Sequence, residues 1–225
     1  MADPGTVMLA IDTSTDTSSI ALYSASHLSE LSWHAGRNQT QTLLVQIEHL
    51  LTLNRLTLDH IGAVAVTVGP GMFNGLRVGL STAKGLGFGR SMPVYGIDTL
   101  DVTAYPHRTS ADSIRAFVPA GRGRVVSGDY RKRSGRWTRS GDPQNRDFSE
   151  IAAGVGANTI IIGEIPSAVE PGLLENGSEL LPLLSLRARR PGNLAELGWR
   201  RWQAGEPDES ATIEPLYVHG TRRAT

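Results

Sequence analysis

The chain has 225 residues with 22 basic and 22 acidic side chains, so its net charge does not favour a nucleic acid, a membrane surface or an acidic partner. It contains no cysteine, which excludes disulfides, thiolate metal ligands and a cysteine nucleophile. Residues 1–6 lack the regions of a signal peptide, and no apolar run has the length of a membrane span. We therefore expect a cytoplasmic protein without a membrane contact.

The first predicted elements are three strands of an antiparallel meander, at residues 8–11, 18–23 and 28–33. The first strand ends at Asp12, which is followed by hydroxyl side chains from Thr13 onwards. A phosphate or metal site can form at such a strand end. A single aspartate in a turn is more often structural, because its carboxylate accepts hydrogen bonds from the following backbone.

A strongly amphipathic helix is predicted over residues 39–53. Its large apolar residues recur at helical spacing, at Leu43, Leu44, Ile47, Leu50 and Leu51.

The segment 61–89 organises this half of the chain. Its first eight residues are β-branched or small and predict a buried strand, which a Gly-Pro-Gly turn ends before a second helix. Small residues share one face of that helix, at Gly75, Gly79, Thr82, Leu86 and Gly89. A glycine inside a helix costs about 1 kcal/mol relative to alanine, so something must pack closely on this face. Two interpretations stay open: the helix packs on its own sheet, or a second helix from this chain or another crosses the glycines.

The turn before this helix is also a candidate phosphate site, because a helix N-terminus favours an anion. Its spacing is GxGxxxG, which is not the dinucleotide fingerprint, and it lacks the GK[ST] ending of a P-loop. The candidate phosphate-proximal residues are Asp12, Thr13, Gly69 and Gly71.

The composition changes near Pro106. Strands are predicted at residues 114–118, 124–130 and 159–163, and a late helix precedes Gly205. We predict an α/β protein with mixed sheets flanked by helices, a first lobe at residues 1–105 and a smaller second lobe at 106–225, whose tail can return to the first lobe. Residues 106–146 hold ten basic and three acidic side chains, and a solvated face is the simplest interpretation of them.

Patterns for catalysis or metal binding are absent from the sequence. The six histidines form no HxxxH, HxH or HExxH pattern, and there is no GxSxG elbow. The paired carboxylates Asp98/Asp101 and Asp208/Glu209 lie near helix starts or in loops, where capping explains them. We predict no metal site in this chain and no catalysis by it.

Four stretches of the chain resemble the bacterial TsaB (YeaZ) family, a subunit of the machinery that makes threonylcarbamoyladenosine in tRNA. They read MLAIDTSTDTSSIALYS, AVTVGPGMFNGLRVGLSTAKGLGFG, PVYGIDTLDVTA and EPLYVH, and the helix that begins near Gln39 also resembles the family. The resemblance is collinear over residues 8–104 and weaker beyond them.

This resemblance implies the two-lobed actin/Hsp70/sugar-kinase (ASKHA) fold with a reduced second lobe. It implies a non-catalytic subunit that binds and activates the transferase TsaD, which modifies the adenosine next to the anticodon. TsaD holds a metal with an HxxxH pair, and the matching positions here are Thr99 and Thr103, which are poor metal ligands.

The resemblance also implies partners: TsaD, TsaE through the TsaB–TsaD assembly, tRNA in the complex, and a second copy of the isolated chain. ATP and a metal ion are expected on partner subunits, with no cofactor in this chain. The implied contact with TsaD uses the two long helices, through Leu43, Ile47, Leu50, Gly75, Gly79, Thr82, Ala83 and Leu86. On this basis Gly79→Leu should block assembly without unfolding the chain. Within the basic segment, Arg131, Lys132 and Arg133 are candidates for tRNA contact.

The alternative function is a small ATP-binding phosphotransferase of the same fold, with Asp12 and the turn at residues 69–75 around the nucleotide. The second lobe offers it no second glycine turn in a convincing context. The DARR-x-EVY-like run common in the family is also missing at residues 119–126, so the role of this lobe is open.

Overall fold

The computed structural model describes residues 6–109, 112–133, 136–150, 158–165, 179–180 and 183–218. The chain forms two compact units. The first comprises Met1–Asp98 and Arg190–Leu216, and the second comprises Thr99–Arg189 and Tyr217–Thr225. The division therefore falls after the strand that ends at Asp98, whereas the predicted boundary lies after Tyr105.

The first unit is built on a five-stranded mixed sheet in the order β3-β2-β1-β4-β5. Its strands are β1 (Val7–Asp12), β2 (Thr17–Tyr23), β3 (Leu28–His34), β4 (Ile61–Gly69) and β5 (Val94–Asp98). The first three strands are antiparallel neighbours, as the meander predicts, and β1, β4 and β5 are parallel. Strands β1 and β4 lie inside the sheet and are buried almost throughout, which explains their apolar sequences.

Helices cover both faces of this sheet. The helices α1 (Gln39–Leu53) and α2 (Phe73–Arg90) pack on the face that carries Leu9 and Ile11 of β1. On the opposite face, Gly198 of the last helix lies against Met8 of β1 and Ala65 of β4. That last helix spans Pro191–Gln203 and is called α5 below.

The second unit has a six-stranded sheet, in the order β11-β10-β6-β7-β8 with β9 also paired to β7. Its strands are β6 (Ser113–Gly121), β7 (Arg124–Arg133), β8 (Arg136–Arg139), β9 (Gln144–Asp147), β10 (Ile160–Gly163) and β11 (Glu179–Leu180). Strands β10 and β6 are parallel and the β6–β7 pair is antiparallel, so this sheet is also mixed. The short helix α3 (Thr99–Ala104) packs on it through Leu100 and Ala104, and α4 (Leu184–Arg187) follows later in the chain.

These two units confirm the predicted fold class of mixed sheets with flanking helices. Within the described part of the chain, the helices are too short or too polar to span a bilayer.

Candidate functional site

Helices α1 and α2 carry large apolar side chains that the first unit leaves exposed. On α1 these are Leu44, Val45 and Leu53, which are 58%, 61% and 65% exposed. On α2 they are Phe73 and Phe88, at 50% and 92%. We call these five side chains the helix face. Large exposed apolar side chains indicate a protein–protein contact where they lie next to one another. Leu44 and Leu53 are nine residues apart and lie on opposite sides of α1, so one partner surface would cover only some of the five.

The helix face differs from the residues that the sequence analysis proposed for partner binding. Leu43, Ile47 and Leu50 are buried in the core of the first unit, as are Gly75, Gly79 and Ala83, while Thr82 and Leu86 are half-buried. The six buried residues are covered by the chain's own atoms, and their contact with a partner stays a prediction. An amphipathic stripe is the side that a helix turns to its own sheet, so a partner can reach only its flanks.

The first two glycines of α2 allow the helix to lie directly on the turn after β1. A Cβ atom on Gly75 would overlap the carbonyl oxygen of Thr13, and one on Gly79 would overlap the Thr13 hydroxyl. The Thr13 hydroxyl donates a hydrogen bond to the Gly75 carbonyl over 2.7 Å. The first interpretation, close packing on the helix's own sheet, therefore accounts for these two glycines. We expect Gly79→Leu to destabilise the unit through this overlap, so the variant does not test assembly alone.

The turn at Asp12 is filled by its own chain. One Asp12 carboxylate oxygen accepts from the Ser14 amide at 2.9 Å, the Ser14 hydroxyl at 2.6 Å and the Thr67 hydroxyl at 3.0 Å. The Ser14 carbonyl accepts from the Met72 amide at 2.7 Å, and a Cβ atom on Gly71 would overlap that carbonyl. Asp12 and Thr13 are each 1% exposed.

The space beside Gly69 is likewise filled by atoms of the chain itself. The Gly69 backbone is left-handed, with φ near 120°, and the Leu216 carbonyl lies where a side chain would be. The four residues predicted to lie near a phosphate thus contact protein atoms. Their arrangement explains the glycines by close packing and does not favour a nucleotide.

The two threonines at the metal-ligand positions of TsaD lie on α3 and are buried. The Thr103 hydroxyl donates to the Thr99 carbonyl at 2.7 Å, an ordinary contact within a helix. Among the described residues, no group of three His, Asp or Glu side chains is placed to hold a metal ion.

The basic segment of the second unit is partly neutralised. Arg115 binds Asp129 through two hydrogen bonds of 2.6 and 2.8 Å, and Arg139 lies 3.8 Å from Asp101. Arg131, Lys132 and Arg133 are exposed at the end of β7, where the strand pairs with β8. Their contact with tRNA stays a prediction.

The segment 206–216, called the strap below, forms a site that the sequence analysis missed. It covers β5, the edge strand of the first sheet. The Asp208 carboxylate accepts from the Val94 amide at 2.7 Å, and the Glu209 carboxylate accepts from the Gly96 amide at 2.8 Å. The Glu209 amide and the Arg201 guanidinium donate to the carbonyls of Val94 and Gly96, at 3.0 and 2.8 Å. These contacts satisfy backbone groups that an open sheet edge would offer to another chain.

Two carboxylates of the strap, Asp208 and Glu209, are held in their charged form. Partial burial raises the pKa of Asp208, but hydrogen bonds from the Ser210 hydroxyl and from the Val94 and Ser210 amides outweigh it, so this pKa lies below its ordinary value. Burial likewise raises the pKa of Glu209, but hydrogen bonds from Arg201 and the Gly96 amide lower it by more. The pKa of Glu209 therefore also lies below its ordinary value. The signal in the sequence is the adjacent acidic pair Asp208/Glu209, which follows a helix with Arg200 and Arg201 in its last turn.

Comparison with known proteins identifies the family. A family model described as "TsaD: tRNA N6-adenosine threonylcarbamoyltransferase" matches residues 33–160, more than half of the chain. The chain belongs to this family. Within it, the chain is similar to the TsaB protein of Escherichia coli K12, described as a tRNA threonylcarbamoyladenosine biosynthesis protein, with 33% identity over 133 residues. That alignment covers 58% of this chain and 58% of the relative.

Further relatives support the same TsaB (YeaZ) group, which confirms the predicted resemblance. TsaB of Haemophilus influenzae is 40% identical over 100 residues, covering 43% of this chain and 41% of the relative. The solved structure of YeaZ from Pseudomonas aeruginosa superposes with a TM-score of 0.77 at 25% identity, covering 95% of this chain and 100% of that one. The sequence matches span about three fifths or less of these two TsaB proteins.

Proposed function

We propose that this chain is the TsaB-type subunit of the machinery that makes threonylcarbamoyladenosine in tRNA, and that it binds and activates TsaD through the helix face. The observation that supports this proposal is the set of five exposed apolar side chains on α1 and α2. Full burial of a Leu, Val or Phe side chain contributes roughly 1.5–3 kcal/mol, so covering even part of this face would favour association.

The proposal assigns catalysis to the partner. The positions that match the metal ligands of TsaD hold the buried Thr99 and Thr103, whose hydroxyls are weak metal ligands. We therefore place the metal ion and ATP on partner subunits, and TsaE on the assembly of this chain with TsaD. In the absence of TsaD, we expect a second copy of the chain to cover the same helix face. The proposal places the protein in the cytoplasm, where it would meet tRNA.

Substitution of Val45 by glutamate tests the helix face. Val45 is 61% exposed, so the substitution should leave the fold intact, but it would put an unpaired carboxylate into a desolvated contact. We expect the affinity for the TsaD of the same organism to fall by about 30-fold or more, measured by isothermal titration calorimetry, and the homodimer to weaken in sedimentation.

The matched control is Leu184→Glu in the second unit, where Leu184 is 69% exposed. It makes the same kind of change outside the helix face and should bind TsaD as the wild type does. Equal effects of the two variants would contradict the proposed surface.

We further propose that Arg131, Lys132 and Arg133 hold tRNA in the assembled complex. Arginine and lysine contacts with phosphates release counterions, so the affinity for tRNA should fall with salt at a log–log slope of about −0.7 to −0.9 per phosphate neutralised. Replacing all three with serine should weaken tRNA binding by the TsaD complex and flatten this slope in filter-binding titrations, without changing the affinity for TsaD. An unchanged slope would show that these side chains form a solvated surface and do not contact tRNA.

A further inference from the structure

A groove of about 490 Å³ lies in the first unit between the C-terminal end of α2 and the strap. Phe88, Ser91, Met92 and Pro93 line it on one side, and Asp208 and Ser210 line it on the other. Of the residues that line it, only Phe88 belongs to the helix face that we propose to bind TsaD.

The end of α2 makes one side of the groove electronegative. The helix ends at Arg90, and Ser91 follows in the left-handed conformation with φ near 51°, while the Met92 amide turns back to the Gly87 carbonyl at 2.9 Å. The last carbonyl groups of an 18-residue helix carry the negative end of its dipole, which favours a cation within the last turn.

Asp208 adds a full negative charge on the other side. One of its carboxylate oxygens accepts from the amides of Val94 and Ser210, and the other accepts from the Ser210 hydroxyl at 2.6 Å. A carboxylate offers about four acceptor positions, so the second oxygen keeps one for a further donor. The side chain is exposed, and its hydrogen bonds fix its orientation beside the groove.

Phe88 supplies an aromatic surface at the same place. Its side chain is 92% exposed, although a phenylalanine ring is usually covered. The face of an aromatic ring attracts an ammonium or guanidinium group, and the apolar stem of a basic side chain packs well beside Met92 and Pro93. The basic residue of the helix end, Arg90, is directed to Asp59 instead, with which it forms an ion pair.

From this complementarity we propose that the groove receives a lysine or arginine side chain of the partner that covers α2, and that Asp208 and Phe88 are specificity-determining residues of that contact. The inference rests on the proposed binding of TsaD, and it names the chemistry of one contact at the edge of that surface. A basic side chain fits because the helix end, the carboxylate and the ring all favour a cation, and because Met92 and Pro93 give its apolar stem a surface to pack on.

Asp208→Asn tests the charge with little change in shape, because the amide oxygen can still accept from the Val94 and Ser210 amides. The matched control is Glu214→Gln, which removes the charge of an exposed strap residue that does not line the groove. We expect Asp208→Asn to weaken TsaD binding by about 10-fold at 50 mM NaCl. The loss should be smaller at 300 mM, because salt already screens the attraction between Asp208 and the partner's cation in the wild type. Glu214→Gln should change the affinity by less than about twofold.

A second variant, Ser91→Lys, keeps the test valid if Asp208→Asn loosens the strap. Ser91 is exposed and lines the groove, so a lysine there would place a cation of this chain where the partner's cation should bind. We expect a loss of TsaD affinity of about 10-fold with an unchanged thermal midpoint.

The outcomes separate the two proposals. If the wild type binds TsaD and both groove variants bind it equally well, the groove inference is wrong and the proposed function stands. If the wild type does not bind TsaD, the proposed function fails, and the groove inference fails with it. If the groove variants weaken only the homodimer in sedimentation, the occupant is a second copy and the inference is wrong.

Discussion

The two halves of α2 use the same residue type for opposite purposes. In the first half, Gly75 and Gly79 are buried, and each leaves out a side chain that would overlap Thr13. In the second half, Gly85 and Gly89 are exposed, and no atom of the described residues lies within 4 Å of the place where a Cβ atom would be.

This difference shows that spacing alone does not identify the neighbour of a glycine face. Glycines placed one or two turns apart indicate close approach, but the neighbour differs from one glycine to the next. Gly75 and Gly79 lie against the turn after β1, and the buried Gly87 lies against Val94, whereas the described chain places nothing beside Gly85 and Gly89. Of the glycines of α2, only the exposed ones, such as Gly85 and Gly89, can still be reached by a partner.

The largest effect is expected for Gly75→Ala. The new methyl group would meet the backbone carbonyl of Thr13, which cannot rotate away as a side chain can. Thr13 would also lose its 2.7 Å hydrogen bond to the Gly75 carbonyl as the helix moves. We expect destabilisation by about 3 kcal/mol or more, against a gain of about 1 kcal/mol from helix propensity. For a chain of this length, that net loss should lower the thermal midpoint by roughly 4–8 °C in calorimetry. A midpoint within about a degree of the wild type would contradict the close packing described above.

Much of the fold could be predicted from the sequence because it depends on local patterns. The strand β4 was recognisable from its unbroken apolar run, and α1 from the spacing of Leu43, Ile47 and Leu50. The strands β8 and β9 were missed, because residues 136–139 and 144–147 are polar and lie on the outer strands of the second sheet. Their pairing depends on β7, and a hydrophobic pattern does not report it.

The candidate site could be predicted only in part. The residues that the sequence predicted as partner contacts on α1 and α2 are mostly buried, since an apolar stripe does not tell whether its neighbour is the chain's own sheet or another protein. The strap was missed because its main contacts join residues more than 100 positions apart, such as Asp208 with Val94 and Glu209 with Gly96. No local pattern in the sequence specifies such a pairing.

The smallest effect, and one of opposite sign, is expected for Gly85→Ala. Gly85 lies inside α2 with open space around it, so alanine should stabilise the free chain by up to about 1 kcal/mol through helix propensity. The thermal midpoint should rise by roughly 2–4 °C. No described residue packs against Gly85, so we expect the partner to fill the space beside it. The added methyl group should then weaken TsaD binding by about three- to tenfold. A stabilised chain that binds TsaD as before would show that no partner packs on Gly85. The close contacts of α2 would then be those that its buried glycines make within the chain.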